Sequence, residues 1–175
     1  MIALLTGGSG CGKSTYAEKL ISAMPKDRRV YIATMQVYDE ESVRRVARHR
    51  AQRADKGFET IESQTDVGKI RLPRGGTVLL ECLCNLTANE MFDAEGNERD
   101  PYEKILREVR ALSRQADNLI LVTNDVGSDA EDYSESTLRY VDTLGRLNAV
   151  FAAEFDAVFE LVCGIPICLK GELPQ

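Results

Sequence analysis

Residues 7–15 read Gly-Gly-Ser-Gly-Cys-Gly-Lys-Ser-Thr, which sets Gly7, Gly12, Lys13 and Ser14 in the spacing G-x-x-x-x-G-K-[ST]. Few short motifs constrain a fold as tightly, because this one needs a strand before it and a helix after it. Glycines let successive backbone N–H groups turn inward around a phosphate. The following helix adds the positive end of its dipole. Lys13 supplies a point charge for the outer phosphates, and Ser14 a hydroxyl suited to Mg²⁺. The flanks comply: Met1–Thr6 is a short apolar run, and Thr15–Met24 carries Ala17, Leu20, Ile21 and Met24 at helical spacing.

The rest of the chain alternates in the same way. Arg29–Thr34, Phe58–Ser63, Thr77–Cys82 and Asn118–Thr123 read as strands. Asp39–Arg53, Asn85–Phe92, Pro101–Gln115 and Ser134–Phe155 read as helices, with Asp39 a candidate cap. Lys69–Gly76 is rich in turn residues, and Asp93–Asp100 and Asn124–Asp132 are loops. Ala157–Cys163 and Pro166–Lys170 close the chain as a strand pair, antiparallel through Gly164. Alternating strands and helices imply one α/β domain over 1–175, with a mainly parallel sheet covered by helices on both faces. In such sheets ligands bind beyond the carboxyl ends of the strands. That rim collects the glycine loop, Thr34–Gln36, Glu81 and Asn124–Gly127.

Composition excludes several classes. Of 175 residues, 43% are hydrophobic and 29% charged, and the net charge of −6 argues against general nucleic-acid or anionic-membrane binding. No apolar run approaches the roughly 20 residues of a membrane helix. No basic segment precedes a cleavable apolar one, so a cytoplasmic protein is expected. The five cysteines (Cys11, Cys82, Cys84, Cys163 and Cys168) lack zinc-knuckle spacing and read as small apolar residues in a reducing compartment. Cys11 stands apart, since the positive potential of the phosphate loop favours a thiolate there.

A second constellation surrounds the single histidine, His49, in a basic helix with Arg44, Arg45, Arg48, Arg50 and Arg53. Residues four apart share a helix face, so Arg45, His49 and Arg53 line up. One reading is a solvated basic face. The other is chemical: neighbouring guanidinium groups disfavour imidazolium, and a neutral imidazole is a nucleophile for a phosphate that those arginines bind. Glu81, ending an apolar strand, sits where phosphate-loop enzymes place the carboxylate that handles Mg²⁺ or its water. Asp125 is a weaker version of that signal, and Glu62 carries none of its own.

Together these residues resemble the bifunctional adenosylcobinamide kinase / adenosylcobinamide-phosphate guanylyltransferase family, whose fold is P-loop NTPase-like. The resemblance runs through TGG followed by GKS, Tyr31–Thr34, Arg45-Val46 leading to His49 and Arg53, Leu79–Cys82, Asn85–Asn89, Leu121–Gly127, Gly145–Asn148, and GIP followed by Leu169-Lys170. It implies that His49 carries GMP as a covalent intermediate and that Lys13 serves phosphoryl transfer. It implies nucleotide contacts from Gly7, Gly8, Ser9, Gly10, Cys11, Gly12, Lys13 and Ser14. Further contacts are implied from Thr34, Met35, Gln36, Arg50, Ala51, Gln52, Arg53, Glu62 and Glu81. Ser14 and Glu81 would order Mg²⁺, GTP and ATP would be substrates, and adenosylcobinamide and its phosphate the acceptors. A homotrimer is also implied. The chain departs from the family at Gly10-Cys11, where a basic residue is common, and that bears on nucleotide preference in the kinase step. Two rivals stand beside this reading: a small-metabolite kinase without a covalent step, and a nucleotide-dependent switch. The switch is disfavoured because Asn124-Asp125-Val126-Gly127 lacks the lysine of the guanine-reading N-K-x-D pattern.

Overall fold

The computed structural model describes residues 1–25, 28–37, 40–53, 56–72, 75–93, 95–126 and 133–172. The side chains of Glu41, Ser42, Arg45, Arg48, His49, Gln52 and Arg53 lie outside that description. In chain order the elements are β1 (Ile2–Thr6), α1 (Lys13–Ala23), β2 (Arg29–Ala33), α2 (Glu40–Arg53), β3 (Phe58–Glu62), a single 3₁₀ turn at Val67–Lys69, β4 (Thr77–Glu81), α3 (Leu83–Met91), α4 (Tyr102–Ser113), β5 (Asn118–Val122), α5 (Glu135–Glu154), β6 (Ala157–Val162) and β7 (Ile165–Lys170). The strands form one sheet in the order β3-β2-β4-β5-β1-β6-β7. Every pairing is parallel except β6 with β7.

The expected architecture is therefore present, and the apolar strand runs explain it. Consecutive side chains on a strand face opposite ways, so a strand buried on both faces must be apolar throughout. Leu4, Val30, Ile32, Val78, Leu80, Leu119 and Leu121 pack with Leu86, Ile105, Val109, Leu112, Leu144, Leu147 and Phe151 of α3, α4 and α5. Their neighbours Ala3, Leu5, Tyr31, Leu79, Ile120 and Val122 turn the other way, onto Ala17, Leu20 and Ile21 of α1. Helix α5 starts at the Ser134 hydroxyl, which accepts the Thr137 amide at 3.2 Å.

Some boundaries differ from expectation. Helix α1 begins at Lys13 rather than Thr15, because Gly12 takes a left-handed conformation as its N-cap and makes the lysine the first helical residue. Helix α3 starts at Leu83 rather than Asn85, which puts Leu83 and Leu86 into the core. Pro101 is the N-cap of α4 and its carbonyl accepts the Ile105 amide. The candidate cap Asp39 lies outside the described residues.

Below the sheet's far edge, Lys104 reaches from α4 to Asp66 and Glu90, each at 2.6 Å. Hydrogen bonds from Lys104 and Lys69 hold the Asp66 carboxyl down at about 2 against an ordinary 3.8. A depressed folded-state value means stability that is present above pH 4 and lost as pH falls towards about 2. Asp66→Asn, which tolerates the left-handed backbone at this position, should flatten that acid limb of a urea-denaturation series. The expected difference is about 1 kcal/mol or less, as for other solvated pairs.

Candidate nucleotide site

The strand order brings the ends of β1, β4 and β5 side by side, so the loops that follow them meet over one cavity of about 520 Å³. Its walls include Ser9 through Thr15, Tyr31, Ala33, Met35, Val46, Arg50, Glu62, Glu81, Cys82, Asn85 and Asn124.

The glycine loop forms its floor. Gly7 has φ +136°, and a Cβ there would stand 2.5 Å from the Leu161 carbonyl oxygen and 2.9 Å from the Cys11 sulfur. The loop packs directly against the backbone of β6, and no side chain fits between. Lys13 is buried, and its ammonium donates to the carbonyls of Gly7 at 2.9 Å and Gly8 at 2.6 Å. The Cys11 sulfur lies 3.6 Å from the same ammonium. The loop is tied from outside as well, by the Gly164 amide to the Cys11 carbonyl at 2.9 Å.

Across the floor the Ser14 hydroxyl donates to one oxygen of Glu81, and the Tyr31 hydroxyl donates to the other at 3.2 Å. A serine hydroxyl and a carboxylate beside a phosphate loop are hard oxygen donors, the set that suits Mg²⁺. On the opposite wall Arg50 of α2 is ion-paired with Glu62 at the end of β3. Glu62 thus reaches the cavity although nothing in its sequence context marks it; only the parallel register of β3 beside β2 puts it there.

Of Thr34–Gln36, Met35 lines the cavity. Thr34 is fully buried and engaged elsewhere. Its hydroxyl donates to the Cys82 carbonyl at 2.8 Å and accepts the Cys82 amide at 2.7 Å. Asn89 donates to the Thr34 carbonyl at 2.7 Å and to that of Gln64 at 2.9 Å. Ala51 is exposed on α2. The side chains of His49, Gln52 and Arg53, and all of Gly127, lie outside the described residues. Tyr31, Cys82 and Asn85 are cavity residues that the sequence does not single out.

The neighbouring Cys84 and desolvation push the Cys82 thiol up, whereas Cys82, the Thr123 hydroxyl and the Asn124 amide pull Cys84 down. A larger groove of about 640 Å³ lies away from the loop, beside α5. Along it Arg139 pairs with Glu98, and Arg146 lies 3.7 Å from Asp142.

A parallel sheet with a glycine loop closing on a helix-borne lysine defines a P-loop nucleotide-binding α/β protein. In keeping with this, the fold resembles a solved ATPase domain with a TM-score of 0.56, at 12% identity, over 97% of this chain and 76% of that one. Residues 3–169 match the family described as cobinamide kinase / cobinamide phosphate guanyltransferase. The chain is 31% identical to the bifunctional adenosylcobalamin biosynthesis protein CobU of Escherichia coli, covering 97% of this chain and 100% of that protein. It is 33% identical to the corresponding CobP of Pseudomonas aeruginosa, covering 97% of each. The chain belongs to the cobinamide kinase / cobinamide phosphate guanyltransferase family and is a transferase. Among the described residues no helix is long and apolar enough to cross a membrane.

Gly7→Ala tests the close packing of the loop. The added methyl must displace the Leu161 carbonyl or move the loop, and a strained backbone conformation costs about 1–3 kcal/mol. Denaturant unfolding should register a loss of that size, and calorimetric titration should show ATP or GTP bound at least about tenfold more weakly.

Proposed function

We propose that one cavity serves two transfers to the corrinoid side chain of adenosylcobinamide. In the first, the terminal hydroxyl of the side chain attacks the γ-phosphorus of ATP or GTP, and the nucleoside diphosphate leaves. Lys13 neutralises charge that develops on the phosphoryl oxygens. In the second, a ring nitrogen of His49 attacks the α-phosphorus of GTP. The bond to the β-phosphate oxygen breaks and pyrophosphate departs. A phosphate oxygen of adenosylcobinamide phosphate then displaces the imidazole, giving adenosylcobinamide-GDP and free His49. Splitting one displacement into two is the ordinary gain of covalent catalysis.

The observation that carries this reading is that Val46 and Arg50, which flank His49 in sequence, line the same cavity as Lys13 and Ser14. The basic helix therefore borders the phosphate loop. Arg50 is a guanidinium already positioned at that border and neutralised by Glu62, so an incoming triphosphate competes with a carboxylate for it. Gly7 through Ser14, with Met35, Gln36, Arg50 through Arg53, Glu62 and Glu81, form the proposed nucleotide surface, and Thr34 braces it from behind through Cys82. Ser14 and Glu81 would hold Mg²⁺, which would supply positive charge to offset that of the phosphates.

A homotrimer in the cytoplasm completes the reading. Ile165, Ile167 and Leu169 alternate along the edge strand β7 and are exposed in the single chain. An unpaired aliphatic edge of this kind is usually covered.

Incubation with α-labelled GTP should leave acid-labile, base-stable label on the wild-type protein and none on His49→Ala. Label that persists in the variant would remove His49 from the mechanism. Lys13→Ala should lower phosphorylation of adenosylcobinamide about a hundredfold or more; unchanged turnover would mean that the loop does not serve that step.

A further inference from the structure

The strand order puts one polar residue between the two halves of the nucleotide site. β5 lies between β1, which leads into the glycine loop, and β4, which ends in Glu81. Val122 is level with Leu5 on one side and with Glu81 on the other. The contact from Ser14 to Glu81 therefore crosses over the end of β5. Side chains alternate along an extended chain. Val122 and Asn124 both line the cavity. Thr123, between them, turns to the opposite face and is fully buried against Cys84 of α3 and Asn148 of α5. Neighbouring strands are about 4.8 Å apart, so Asn124 stands one strand from the glycine loop and one from the end of β4.

Asn124 is held there from three sides. Its backbone amide donates to the Cys84 sulfur at 3.1 Å. Its carbonyl accepts the Asn148 side-chain amide at 3.3 Å, and the side-chain oxygen of Asn148 accepts the Thr123 hydroxyl at 2.8 Å. The next amide, that of Asp125, donates to the Gly7 carbonyl at 3.3 Å. The same oxygen accepts the Lys13 ammonium, so Lys13 and the turn that carries Asn124 share one anchor. Both backbone polar groups of Asn124 are thus engaged within the protein, which leaves its carboxamide as the group it offers to a ligand. A carboxamide N–H donates to a phosphoryl oxygen and, unlike Arg50 with Glu62, needs no carboxylate to neutralise it.

We propose that Asn124 is a further catalytic residue of phosphoryl transfer, its carboxamide donating to a γ-phosphoryl oxygen between Lys13 and Glu81, and that Asn148 is the positioning residue behind it. In that step the acceptor hydroxyl oxygen bonds to the γ-phosphorus and the bond to the β–γ bridging oxygen breaks. The nucleoside diphosphate leaves with that electron pair, and the hydroxyl proton passes to water. Charge on the γ-phosphoryl oxygens must be met throughout, and a donor fixed in place beforehand lowers the barrier. A nucleoside diphosphate has no γ-phosphoryl group, so the contact distinguishes substrate from product. The effect on rate rests on the transfer reading above, whereas the effect on nucleotide binding does not.

Calorimetric titration of the full-length protein, in Mg²⁺ buffer, with ADP or with the non-hydrolysable imido analogue of ATP reads the contact without turnover. Asn124→Ala should bind the analogue about tenfold more weakly and ADP as the wild type does. Asn124→Asp, of nearly the same volume, should lose the analogue further, because a carboxylate repels the γ-phosphate. Asn148→Ala should show the same selective loss to a smaller degree. The kcat for adenosylcobinamide phosphorylation should fall about a hundredfold in Asn124→Ala. The proposal is overturned if the Asn124 variants weaken the analogue and ADP alike, or leave both affinities unchanged; Asn124→Asp decides should Asn124→Ala not fold. Asn148 loses its role if Asn148→Ala keeps the wild-type affinity for the analogue or loses both nucleotides equally. The two readings fail differently: a wild type that binds both nucleotides yet phosphorylates no adenosylcobinamide counts against the transfer assignment, and unselective Asn124 variants count against this one.

Discussion

A buried lysine needs anions or carbonyl oxygens around it, because an unpartnered ammonium away from water costs several kcal/mol. Lys13 is 7% exposed and meets that need with the carbonyls of Gly7 and Gly8. The loop must therefore curl back over its own helix, and only residues able to hold positive φ allow the curl at Gly7, Gly10 and Gly12. That single requirement fixes where α1 starts, how β1 ends and how close β6 must come. Triphosphate oxygens would offer the ammonium better partners than carbonyls do.

Around this floor the strand ends are cross-linked by short polar contacts. Ser14 joins α1 to β4 through Glu81, and Tyr31 joins β2 to the same carboxylate. Thr34 clasps the turn after β4, while Asn89 of α3 clasps the turns after β2 and β3. The protein is acidic overall, with a net charge of −6, yet the cavity presents Lys13 and Arg50. Within the same lining Glu62 and Glu81 balance those two cations.

Much of this is legible from the chain. The glycine loop announces itself through spacing, and the strands β1, β4 and β5 through unbroken apolar runs that only a two-sided burial explains. Glu81 is visible because an acid closes such a run. Glu62 and Tyr31 are not, because each reaches the cavity through the lateral order of strands, a long-range property with no local pattern. Thr34 shows the opposite limit: it stands on the expected rim, but its hydroxyl is committed to the backbone of Cys82. Helix α1 starts two residues ahead of its apolar pattern, since a left-handed glycine cap shortens the loop from its helical side.

The C-terminal hairpin has a consequence beyond closing the sheet. The Leu161 carbonyl backs Gly7, and the Gly164 amide holds Cys11, so the glycine loop is braced by residues that are synthesised only after α5. Contacts of such wide sequence separation form late and slow folding. A growing chain therefore has no finished nucleotide cradle until β6 has emerged, and premature termination ahead of β6 leaves a glycine loop without its wall.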